Sequence, residues 1–173
     1  MMKFSRKYII LVGVNAALSL FALLVITVII HEGAHYITAS MLGIPIAHFA
    51  LFDPKYFAPA LYSVSKEYTA GMAIVSYAGG LFTGLILLSI LILRWNWFKQ
   101  SLYRWFLGLF LATFGAWQIS NGIIEGAFHQ TYILNATKLF FSPTHSVMYA
   151  SCFVGMVIYW LYMPLKKVDE KLE

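Results

Sequence analysis

The chain has 173 residues, 61% of them hydrophobic and only 11% charged, and its mean hydropathy is +0.76. A soluble domain carries about 25% charged residues, so 12 Lys+Arg and 7 Asp+Glu are too few to cover a water-exposed globule. An aromatic content of 17% excludes a disordered chain, and a single cysteine excludes a disulfide framework or a multi-cysteine zinc module. The net charge of +5 is spread thinly and is followed by an acidic tail, which does not make a nucleic-acid surface. The composition predicts one small, all-α, polytopic membrane domain with four transmembrane helices.

A membrane span needs about 20 predominantly apolar residues. The first predicted span covers residues 8–42 and starts after Lys3, Arg6 and Lys7. It runs without a charge from Tyr8 to Ile30 and continues through His31-Glu32-Gly33-Ala34-His35 to Leu42. Gly43 is placed to end the helix in a left-handed conformation, and Pro45 prevents its continuation. This segment is too long, and too rich in acidic and histidine groups at its far end, for a signal peptide.

Residues 43–69 are broken by Pro45, Asp53-Pro54 and Pro59, and are expected to form a short membrane-apposed hairpin or an irregular loop. The second span, 70–94, ends in Arg94-Trp95-Asn96-Trp97, an interfacial anchor. The third covers 103–134 and the fourth 143–164, with Ser142 as N-cap and Pro143 at the first helical position. Basic residues concentrate at the N-terminus, between spans two and three (Arg94, Lys99, Arg104) and in the tail (Lys166, Lys167, Lys171). The opposite side has only Lys55, Lys66 and Lys138. The positive-inside rule therefore predicts a multi-pass cell-membrane protein with both termini cytoplasmic.

Only two acidic residues fall inside these spans, Glu32 and Glu125. A charge at the centre of a span costs about 2.5–3.5 kcal/mol on insertion scales, so an idle one is not expected. His31 and His35 are four residues apart, just over one helical turn, and project from one face where they can share a metal ion. Glu32 is rotated by about 100° from His31, beside the site, where it can take a proton from a water on the metal. A catalytic zinc site needs a third protein ligand.

The third span offers a polar stripe of Gln118, Asn121, Gly122, Glu125, His129 and Tyr132. From the start of each span, His31 and His35 lie about 23 and 27 residues along, and Glu125 and His129 about 21 and 25. Spans one and three run the same way, so the two polar clusters reach a common depth. Glu125 is the preferred third ligand, because a carboxylate offsets the ion's charge; His129 is its rival. Gly122 and Gly126 are expected to let spans one and three approach closely, and Gly80-x-x-x-Gly84 to serve helix packing. Gly79 and Gly80 also bare a backbone face that an extended substrate can use. His145 reads as a helix cap or a group polarising a substrate carbonyl, His48 and Asp53 as loop residues, and Cys152 as packing.

With H-E-x-x-H in the first span, a glycine-bearing second span (Ala78-Gly79-Gly80) and a later acidic residue followed by glycine (Glu125-Gly126), the chain resembles the site-2 protease family. Those proteins are polytopic zinc metalloproteases that cut substrate helices within the membrane. The resemblance implies that His31 and His35 bind Zn2+, that Glu32 is the catalytic acid/base, and that Glu125 stands where the family usually has an aspartate ligand. It also implies a membrane-protein substrate presented from the lipid bilayer, and leaves room for a regulatory membrane partner. Two other uses of the same residues are metal or proton transport without proteolysis, and a haem or di-iron centre. A membrane di-iron centre needs more histidine boxes than five histidines supply.

Overall fold

A computed structural model of the chain describes residues 5–52, 54, 61–64, 70–135 and 143–162. In chain order the elements are α1 (Arg6–Met41), β1 (Ile46–Ala50), β2 (Leu61–Val64), α2 (Ala70–Leu93), α3 (Trp95–Phe98), α4 (Leu102–Asn135) and α5 (Pro143–Tyr162). Helices α1, α2 and α4 are long and apolar enough to cross a membrane; α5 is a shorter apolar helix. The chain is therefore a mostly helical, multi-pass membrane protein by the length and composition of its helices. Ser142, expected to cap α5, and residues 163–164 of the expected fourth span lie outside the described residues.

Helix α1 starts where Ser5 Oγ accepts a hydrogen bond from the Tyr8 N–H at 3.2 Å, satisfying one of the donors a helix start leaves open. Its 36 residues rise about 54 Å, well beyond a hydrocarbon layer of about 30 Å. Ile10, Leu18 and Phe21 are among many large side chains exposed along it, the arrangement expected where lipid is the solvent. It ends as its sequence predicts, with Gly43 at φ 67°. The Gly43 N–H donates to the Ser40 carbonyl at 3.2 Å and the Ile44 N–H to the Ala39 carbonyl at 2.9 Å, which together make a Schellman cap.

Of the segment between the first two spans, β1 and β2 pair antiparallel, with His48 opposite Ser63, Phe49 opposite Tyr62 and an irregular register between Ile46 and His48. The Phe49 ring packs on Tyr36 of α1, with centroids 4.6 Å apart, and so ties the hairpin to the helix end that carries His35. Asp53, Lys55 and Lys66 lie outside the described residues.

The helices pack in the order α1, α2, α4, α5, and α1 also touches α4. Bare glycine backbones set the α2–α4 spacing. A Cβ on Gly80 would overlap the backbone of Gln118 and Gly122, and one on Gly84 would meet the Gly115 carbonyl. This corrects one expectation from the sequence. Gly122 lies against Gly80 and Leu81, and Gly126 against the Tyr77 ring, so both face α2 and not the first span. The physical reason is that α2 packs more extensively against α4 than α1 does.

Helix α5 closes on α4 at Gly155, which abuts Ala112 and Ala116, and at Tyr159, whose hydroxyl donates to the Trp105 carbonyl at 2.8 Å. Leu87, Leu91, Phe98, Leu111, Ala112 and Tyr159 form the apolar core at the α3 end of the bundle. Cys152 sits half-buried in the same α4–α5 contact, its Sγ 3.7 Å from the Thr113 carbonyl, which agrees with a packing role.

A candidate metal centre

At the opposite end of the bundle from that core, three helices place polar groups at one point. His31 and His35 are 7% and 8% exposed and stand one turn apart on the buried face of α1, as their spacing requires. Their Nε2 atoms are 3.0 Å apart. Glu125 of α4 reaches the same place, with its Oε2 3.4 Å from His31 Nε2 and 3.6 Å from His35 Nε2. That oxygen is buried and has no hydrogen-bond partner among the described residues. Oε2 is therefore not tied up in a structural hydrogen bond to Asn121, the simplest alternative use of such a glutamate.

The second nitrogen of each imidazole is engaged. His35 Nδ1 lies 2.6 Å from the Val75 carbonyl of α2. A carbonyl only accepts, so Nδ1 carries the hydrogen and, in the neutral ring, Nε2 presents a lone pair. His31 Nδ1 lies 2.8 Å from Gln118 Oε1 of α4, which fixes the same tautomer. Two Nε2 lone pairs 3.0 Å apart, with a carboxylate oxygen completing the triangle, repel one another unless positive charge lies among them.

The donor set passes a direct test as a metal site. Three ligands around a tetrahedral ion with bonds of about 2.0–2.1 Å stand about 3.3–3.4 Å apart. The three donors here form a triangle with sides of 3.0, 3.4 and 3.6 Å, each able to offer one ligand atom. The hydrogen bonds on the far side of each histidine are the outer-shell partners that metal-bound imidazoles almost always have. The group can hold a metal ion, and nothing in its geometry selects one divalent metal.

Two features of α2 hold the site in place. A Cβ on Gly79 would overlap the His35 imidazole, so the ring lies directly on bare backbone, one turn beyond the carbonyl of Val75 that orients it. Gly79, read from the sequence with Gly80 as also able to bare a backbone face, has a site histidine as its neighbour. The bare Gly80 backbone brings α4 close enough for Gln118 to span to α1. Gln118 was legible as part of a polar stripe, but its link to His31 had no separate signal. The Val75 contact uses a backbone atom and left no signal at all.

Glu32 is half-buried, follows His31 directly and is not one of the three converging donors, as its rotation around the helix requires. His129 lies on α4 and His145 on α5, but their side chains, like that of Tyr132, lie outside the described residues. The described geometry brings together His31, His35 and Glu125.

No family model, curated protein or solved structure matches the chain.

Proposed function

We propose that this protein is an intramembrane zinc metalloprotease of the site-2 protease type, which hydrolyses peptide bonds in or near transmembrane segments of other proteins. The observation that carries the reading is the His31–His35–Glu125 triangle beside Glu32, buried among helices of membrane-spanning length. A zinc ion bound there supplies a Lewis acid and lowers the pKa of a coordinated water towards 7. The chain's own groups do the rest. His31, His35 and Glu125 would hold the ion. Glu32 removes a proton as the water oxygen adds to the scissile carbonyl carbon. It then delivers that proton to the amide nitrogen as the C–N bond breaks, so one water is consumed and two chain ends form.

Helix α5 is part of the proposal as a fourth crossing: its 20 residues rise about 30 Å, the thickness of the hydrocarbon layer. An even number of crossings returns both termini to one side, which the basic-residue distribution makes cytoplasmic.

The test is reconstitution of the zinc-loaded protein in liposomes with single-span substrates, comparing wild type with Glu32→Gln. The variant is expected to keep its metal and lose about 100-fold or more of the cleavage rate, the usual contribution of a positioned acid/base. Cleavage that survives Glu32→Gln undiminished would contradict the mechanism. Metal-dependent uptake into vesicles with no cleavage of any substrate would assign transport instead.

A further inference from the structure

The contacts behind the donor triangle assign a role to a residue outside it. We infer that Gln118 is a positioning residue for the metal site: its Oε1 accepts the His31 Nδ1–H and turns the His31 Nε2 lone pair towards the point shared with His35 and Glu125. The inference rests on the metal-site reading above and deepens it.

Three observations converge on Gln118. It is a long polar side chain, 9% exposed, in a helix that packs against α1, α2 and α5. Its Oε1 lies 2.8 Å from His31 Nδ1, 87 residues away in sequence. The helix backbone around it is held against the bare backbone of Gly80, so the reach from α4 to α1 is set by close packing and not by a mobile side chain alone. The two histidines are thus oriented from two different helices. The Val75 carbonyl of α2 fixes His35 and the Gln118 amide oxygen of α4 fixes His31, while α4 also supplies Glu125. An imidazole that loses its Nδ1 acceptor is free to swing about χ2 or to carry its hydrogen on Nε2, and in that tautomer it has no electron pair to give the ion.

This role differs from simple packing in what replaces it. Methionine fills nearly the same volume but accepts no useful hydrogen bond, whereas glutamate keeps an acceptor oxygen at the same reach. The experiment is zinc titration of the metal-free purified protein against a chromophoric chelator, for wild type, Gln118→Met and Gln118→Glu, with the visible absorption of the cobalt-loaded forms as a second readout. Gln118→Met is expected to bind zinc about 10- to 100-fold more weakly and to shift the cobalt ligand-field bands. Gln118→Glu is expected to bind at least as tightly as wild type, with bands in the wild-type position. Equal affinity in the methionine variant and wild type overturns the inference while leaving the metal site standing. Equal loss in both variants also overturns it, by reducing Gln118 to a packing residue. A wild-type protein that binds no zinc overturns the proposed function and this inference with it.

Discussion

At the scale of single residues, the site is a balance between one buried carboxylate and two imidazoles whose free electron pairs face each other. Each removal has a distinct expected signature. Glu125→Ala takes away the one anionic donor and leaves two lone pairs in opposition, so the metal is lost. Glu32→Gln touches none of the three donors, so metal binding is expected to stay while the proposed cleavage is lost. Gly79→Ala pushes a methyl group into the His35 ring, which is held from behind by Val75 and cannot retreat without losing that hydrogen bond. The expected result is overpacking of about 1–3 kcal/mol, read by thermal unfolding in detergent, together with weaker zinc binding. A Gly79→Ala protein with wild-type stability and affinity would show that the ring does not rest where it is described.

At the scale of elements, glycine does two different jobs that a substitution series separates. Gly43 stands at φ 67° with no atom near its Cβ direction, so Gly43→Ala carries only the backbone cost of a left-handed residue, about 1–2 kcal/mol, with zinc binding unchanged. Gly122 lies against the backbone of Gly80 and Leu81, where a side chain has nowhere to go. Gly122→Leu is expected to separate α2 from α4, to lower stability by more than the Gly43 variant does, and to abolish zinc binding, because α4 carries both Gln118 and Glu125. Comparison of melting temperature and zinc stoichiometry in the two variants checks this.

The helices and the Gly43 cap were legible in the sequence because a long apolar run and a glycine shortly before a proline are local signals. His31 and His35 were legible for the same reason, and Glu125 because a charge inside an apolar run demands an explanation. The neighbour of Gly122 and Gly126 was not legible: small residues announce close approach without saying to which helix. The single turn of α3 had no periodicity long enough to read. The Val75 carbonyl is backbone, which every residue carries, so no residue type could announce it.

At the scale of the whole molecule, the composition and the bundle describe the same object. Large apolar side chains remain exposed on α1, α2 and α5, and the polar residues gather inside, where α1, α2 and α4 meet. A bundle with four crossings has its ends on one side; one in which α5 lies along the surface has them on opposite sides. Tagging each terminus and probing accessibility in sealed vesicles distinguishes these, with both tags expected to be cytoplasmic. The orientation sets which leaflet the His31–His35–Glu125 group lies nearer. The centre itself is tested most directly by the metal content of the purified protein, measured by mass spectrometry for wild type, His31→Ala and Glu125→Ala. One zinc ion per wild-type chain, lost in both folded variants, is expected. A wild-type protein that takes up no divalent metal, or a Glu125→Ala variant that holds it as tightly as wild type, would contradict a centre built from these three side chains.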